Sequence, residues 1–280
     1  MIPPAAEVER IVRRALAEDI GPGDLTTAAC VPLTVQGVGE FLAKQEGVLS
    51  GLYVVRECFR QTAGDCVVEE LKDEAEAFAK GELLARVTGP AAQILTTERV
   101  ALNFLQRLCG VATLTRQYVG AVAGTKARIV DTRKTTPGLR LLEKAAVRAG
   151  GATNHRYALY DGVILKDNHI VAAGGIGKAV AQARQSLPHT VKIEVETTNL
   201  AEVAEALEAR AEIIMLDNMD DTMMRQAVEL VGGRALLEAS GGVNLETVTA
   251  IAQTGVDLIS VGRLTHSAPS IDISLDLRHL

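Results

Sequence analysis

From Arg128 onward the chain repeats one pattern. An apolar run of strand length ends on a charged or small residue, and a helix-like stretch follows. The runs are 127–130 ending at Asp131, 162–165 ending at Lys166, 191–195 ending at Glu196, 213–216 ending at Asp217, 235–239 ending at Ser240, and 258–261 ending at Gly262. Strands covered on both faces read as unbroken apolar runs, and a parallel sheet needs a crossover between each pair. Six such units predict a parallel α/β domain, either an open barrel or a doubly wound sheet. In both, ligands sit beyond the carboxyl ends of the strands. Lys166, Glu196, Asp217, Ser240 and Gly262 are therefore expected around one mouth.

The first third reads differently. Val8, Ile11, Val12, Ala15 and Leu16 keep helical spacing, and Gly21-Pro22-Gly23-Asp24 stops that helix. Short alternating runs between 35 and 90 surround one helix near 52–61, which suggests a small antiparallel α+β layer. Residues 91–119 read as one long helix carrying Arg99 and Arg107, and the alternating tail 271–275 suggests a strand returning to the small domain.

Net charge is −6, from 29 basic and 35 acidic residues, and aromatic residues make up 3% with no Trp. Nucleic acid is a poor default partner for such a chain, because backbone binding needs a basic face and stacking needs rings. The cysteines Cys30, Cys58, Cys66 and Cys109 form no CxxC pair, and Met1-Ile2-Pro3-Pro4 has no basic-then-apolar leader. With no apolar run near the roughly 20 residues of a membrane span, the expectation is a cytoplasmic, reduced protein away from membranes.

Asp131-Thr132-Arg133-Lys134-Thr135-Thr136-Pro137-Gly138 is the sharpest local signal. It begins at a strand end and offers two cations, three hydroxyls and a Pro-Gly turn. Arg brings a fork suited to carboxylate or phosphate, and Lys a compact charge. Between Arg133 and Lys166, seven cations face only Glu143 and Asp161, a local reversal of the overall sign. Arg140, Lys144 and Arg148 fall on a helical stretch and read as solvated charges. Arg133, Lys134, His155, Arg156 and Lys166 remain as candidates for a ligand with several negative groups.

Glu196 and Asp217 end successive strands. Two carboxylates near a polyphosphate suit Mg²⁺ or ribose hydroxyls. Paired general acid–base work is the alternative, though cationic neighbours disfavour a neutral acid. Ser240-Gly241-Gly242 and Val261-Gly262-Arg263 are glycine-containing strand ends where backbone N–H groups can approach a phosphate. Gly174-Gly175-Ile176-Gly177-Lys178-Ala179 imitates a P-loop but lacks its first glycine and its final Ser/Thr.

Together these segments resemble the quinolinate phosphoribosyltransferase family, the nicotinate-nucleotide pyrophosphorylases. The resemblance is carried by 131–140, Asn154-His155-Arg156, 161–169, 18–27, Val195-Glu196, 215–218, 239–242 and 260–268, in order along nearly the whole chain. It implies an N-terminal α/β sandwich over 1–112, to which the tail 270–280 returns, and an open seven-stranded α/β barrel over 113–269. It also implies transfer of phosphoribosyl from phosphoribosyl pyrophosphate to quinolinate, with decarboxylation and Mg²⁺. A homodimer with shared sites, or a higher assembly built on it, would follow, with Arg99 reaching the partner's quinolinate.

By the same resemblance, Thr132, Arg133, Lys134, His155, Arg156 and Lys166 would hold substrate and diphosphate. Glu196 and Asp217 would serve ribose and metal, and 240–242 with 261–263 would take the 5′-phosphate. Lys134, Lys166, Glu196 and Asp217 would be the catalytic set. Two rivals stay open. One is a Schiff-base lyase with Lys166 as nucleophile. The other is a non-enzymatic protein associated with molybdate transport, which shares part of the same loop.

Overall fold

The computed structural model describes residues 3–62 and 65–279, so Met1 and Ile2 of the opening tetrapeptide, and Leu280 of the tail, lie outside the described residues. In chain order the first elements are α1 (Ala5–Ile20), α2 (Leu25–Cys30), β1 (Gln36–Ala43), β2 (Gly47–Val48) and α3 (Leu52–Thr62). Then come β3 (Val67–Glu70), β4 (Ala77–Phe78), β5 (Leu83–Pro90) and α4 (Ala91–Ala121). The repeating region supplies β6 (Arg128–Val130), α5 (Arg140–Ala149), β7 (Val163–Leu165), α6 (Asp167–Ala173), α7 (Ile176–Ser186), β8 (Ile193–Thr197) and α8 (Leu200–Glu208). It ends with β9 (Ile213–Asp217), α9 (Asp221–Val231), β10 (Leu236–Ser240), α10 (Val248–Ala252), β11 (Leu258–Ser260), α11 (Arg263–His266) and β12 (Ile273–His279).

The chain divides into two compact units. The first holds residues 1–116, 135–151 and 265–280. Its sheet has the order β12-β1-β5-β3, with β1 antiparallel to both β12 and β5. Strand β1 alternates buried and half-buried positions, the pattern of a sheet with one face on a core. Phe41, Phe59, Leu84, Ile94 and Leu105 fill that core, and the Phe41 and Phe59 rings meet edge to face at 6.4 Å. Asp24 ends the Gly-Pro-Gly turn as the cap of α2: its carboxylate accepts the Thr27 N–H at 2.9 Å and the Thr96 hydroxyl at 3.0 Å.

The second unit holds residues 117–134 and 152–264. Its sheet runs β6-β11-β10-β9-β8-β7, every pairing parallel. A further parallel bridge joins Val130 to Thr153, on the flank of β6. The seventh strand of the expected barrel is reduced to that single bridge. Strand-centre residues Ile193, Val195, Ile214, Leu216, Leu237, Ala239 and Ile259 are buried. Gly174 and Gly175 both have positive φ, +81° and +124°, and they break α6 from α7. The P-loop look-alike is a helix–helix junction.

Candidate active site

Strand registers place the expected residues at one end of the second sheet. Leu165 pairs with Val195, Thr197 with Leu216, and Ser240 with Asp217. Lys166, Glu196, Asp217 and Ser240 therefore stand at the carboxyl ends of four successive strands. The Lys166 ammonium is ion-paired with the Glu196 carboxylate. Strand β8 runs two residues past the apolar run, so Glu196 lies inside the strand.

The loop after β9 is tightly tied. Asn218 has φ +54°, its N–H donates to the Ser240 carbonyl at 2.9 Å, and its side-chain amide donates to Asp217 at 2.8 Å. Gly241, with φ +91°, packs so closely that an added Cβ would fall 2.2 Å from Asn218 Oδ1. Val261 is buried and donates its N–H to the Val130 carbonyl at 2.9 Å. Gly262 is half-buried beyond it, and Gly242 and Arg263 are exposed.

The loop after β6 is set by a buried acid. Asp131 accepts the Asn154 side-chain amide at 2.6 Å and the His155 N–H at 2.8 Å. The Thr132 hydroxyl accepts the Lys134 N–H at 3.0 Å, which turns the chain there. Arg156 reaches the Gly162 carbonyl through Nη1 at 2.8 Å. Its guanidinium is held below the usual value first by burial and then by the neighbouring Arg133 charge, against which Glu194 and Asp161 pull upward. Two guanidinium groups near enough for their charges to oppose each other suit a ligand with two carboxylates. Arg133 is half-buried, while Lys134 and Arg99 are exposed, Arg99 on α4 of the first unit.

Two residues absent from the expected set lie below this rim. Glu194 in β8 and Glu238 in β10 are 2% and 1% exposed. His155 Nε2 lies 3.1 Å from Glu194 and 3.5 Å from Glu238. Burial first, and the Glu194 charge second, push the Glu238 carboxyl up to about 7, with His155 pulling it down. A cavity of about 460 Å³ is lined by these three residues with Arg156, Ile164 and Arg128.

In the first unit, α5 corrects the expectation of solvated charges. Arg148 is exposed, but Lys144 is fully buried, as is Glu143. Glu143 accepts Arg107 Nη2 at 2.8 Å, the Thr136 N–H at 2.9 Å and the Thr136 hydroxyl at 2.8 Å. Arg107 also donates to the Ala268 carbonyl at 2.7 Å. This pair, with Glu143 buried and Arg107 half-buried, fixes the chain two residues beyond Lys134.

Known proteins match this arrangement along its whole length. Residues 111–276 fit the C-terminal domain of quinolinate phosphoribosyl transferase, and residues 24–109 fit its N-terminal domain. The chain belongs to the quinolinate phosphoribosyltransferase family. It is 44% identical to a probable carboxylating nicotinate-nucleotide pyrophosphorylase of Bacillus subtilis, over 97% of this chain and 93% of that protein. A probable enzyme of the same name from Synechocystis is 46% identical over 99% of this chain and 94% of that protein. The solved nicotinate-nucleotide pyrophosphorylase of Francisella tularensis superposes with a TM-score of 0.95 at 39% identity, covering 98% and 97% of the two chains. Among the described residues no helix is long and apolar enough to cross a membrane.

Proposed function

We propose that this chain transfers the phosphoribosyl group of phosphoribosyl pyrophosphate to quinolinate, releasing pyrophosphate and CO₂ and forming nicotinate mononucleotide for NAD biosynthesis. One observation carries the reading. Lys166, Glu196 and Asp217 stand at the carboxyl ends of three successive strands in a chain that matches both family domains. Arg133 and Arg156 clamp the pyridine dicarboxylate, with Lys166 beside them. The pyridine nitrogen attacks C1 of the ribose as the diphosphate departs, and positive charge builds on the sugar. Glu196 and Asp217 face that charge, while Lys134 and Lys166 stabilise the leaving diphosphate. The C2–carboxylate bond then breaks to release CO₂; the electron pair stays on C2, stabilised by the adjacent pyridinium nitrogen, and C2 takes a proton from solvent to give nicotinate mononucleotide. Thr132 orients the loop, and the backbone at 240–242 and 261–263 receives the 5′-phosphate.

The half-buried carboxylates of Glu196 and Asp217 are hard oxygen donors on adjacent strands, a set that fits Mg²⁺ with retained waters. Bound there, Mg²⁺ would supply Lewis-acid neutralisation of the diphosphate. A homodimer, or an assembly built from it, suits Arg99 standing exposed on α4. It also suits the apolar side chains of Leu25, Leu33 and Tyr160, each at least 85% exposed. A reducing cytoplasm suits four free cysteines in an acidic chain. The deciding experiment mixes the protein with quinolinate, phosphoribosyl pyrophosphate and Mg²⁺ and follows nicotinate mononucleotide and CO₂. Matched release of both products is expected. Absence of product at every metal and substrate concentration would overturn the assignment and favour the binding-protein reading.

A further inference from the structure

His155, Glu194 and Glu238 converge inside the second unit from three separate segments, and the three line one cavity. Glu194 Oε1 and Glu238 Oε1 are buried without a hydrogen-bond partner, although the other oxygen of each carboxylate faces His155 Nε2. A histidine with two carboxylates first suggests a divalent metal. The hydrogen bonding of the ring argues against it. His155 Nδ1 accepts the backbone N–H of Arg156 at 2.7 Å, so Nδ1 carries no proton. The proton of the neutral ring is then on Nε2, the nitrogen that faces both acids. Metal-bound histidine normally donates an N–H from its other nitrogen, and this ring has none there to donate.

We propose that Glu194 and Glu238 are positioning residues for quinolinate binding, which hold the His155 Nε2–H and thereby fix the ring that anchors Arg156. The inference rests on the functional reading above and extends it below the rim. The chain of contacts is continuous. The acids hold the ring, the ring holds the Arg156 N–H, and the Gly162 carbonyl holds the guanidinium at Nη1. Asp131 fixes the His155 backbone from the other side. Glu194 adds a second effect, because its negative charge faces Arg156 where the Arg133 charge repels it. Both guanidinium groups can then wait side by side before a dianion arrives. His155 acts in this scheme as a neutral strut, with both ring nitrogens engaged by protein.

The test combines kinetics with a tautomer measurement on the intact enzyme. Long-range ¹H–¹⁵N spectra of histidine-labelled protein, with His155 assigned through His155→Asn, should show the Nε2–H tautomer. Glu194→Gln and Glu238→Gln should each raise KM for quinolinate by about tenfold to hundredfold, the scale of a weakened charge-assisted contact. KM for phosphoribosyl pyrophosphate should stay within about twofold, since the brace lies under the diacid clamp alone. An Nδ1–H tautomer in the unmodified protein would overturn the proposal. So would a parallel rise in both KM values, which marks general loss of structure. If the unmodified enzyme shows no turnover at all, the functional reading falls and the tautomer spectrum alone judges the brace. If a variant fails to fold, that same spectrum decides.

Discussion

The buried carboxylate of Asp131 accepts the backbone N–H of His155 at 2.8 Å, tying the end of β6 to the segment that carries Arg156. Its second oxygen takes the Asn154 amide. Asp131→Ala would leave both half-buried donors without this acceptor, at a cost of about 2–5 kcal/mol for two hydrogen bonds to a charged group. Chemical denaturation should show that loss. Quinolinate KM should rise with it, because Asn154-His155-Arg156 is no longer pinned. Asp131→Asn, which keeps one acceptor oxygen, should recover part of the stability. A variant as stable as the parent would show that the tie is not needed.

The Lys166–Glu196 ion pair sits at a partly exposed rim, with side-chain exposures of 47% and 14%. Such pairs contribute about 0–1 kcal/mol to stability. Lys166→Ala should therefore melt close to the parent, yet lose about 100-fold or more in kcat/KM if its ammonium meets developing negative charge. Thermal unfolding and steady-state kinetics on one preparation separate the two effects. Borohydride in the presence of a carbonyl substrate should leave Lys166 unmodified.

The strand-end residues of this rim are legible in the sequence. The strands announce themselves because both faces are covered, so the apolar runs continue until the chain leaves the sheet at Asp131, Lys166, Asp217 or Ser240. Glu194 and Glu238 are not legible in the sequence because each lies within an apolar run and reads as part of it. The available signal was a charged residue two places before a strand-end polar residue, hence on the same face: Glu194 before Glu196, and Glu238 before Ser240. The strand at Thr153 could not be read, since one bridging residue leaves no periodicity. Nor could the burial of Lys144, whose helical spacing looks the same in a solvated helix and in a packed one.

Gly241 has φ +91°, and an added Cβ would lie 2.2 Å from Asn218 Oδ1. Gly241→Ala therefore meets both backbone strain and a clash, about 1–3 kcal/mol for the backbone conformation alone. The loop should shift away from Asp217, to which Asn218 is bonded. We expect a lowered denaturation midpoint and a raised KM for phosphoribosyl pyrophosphate, with quinolinate binding measured alone little changed. Calorimetric titration of quinolinate in the absence of the second substrate checks this split.

Glu238 also makes stability depend on pH. Its carboxyl is raised from an ordinary 4.5 to about 7, chiefly by burial and then by Glu194, with His155 opposing. Between those two values the folded chain binds more protons at this position than the unfolded chain does. Its contribution is therefore fully present below the ordinary value and is lost as pH rises toward the folded one. Glu238→Gln cannot titrate, so the gap in unfolding free energy between parent and variant should shift against the parent from about pH 5 to about pH 7, by no more than about 3 kcal/mol. Urea unfolding at several pH values, read as the parent-minus-variant difference, cancels the groups that both proteins share. A difference that stays flat across the window, or that moves in favour of the parent, would show that Glu238 is already ionised in the folded protein.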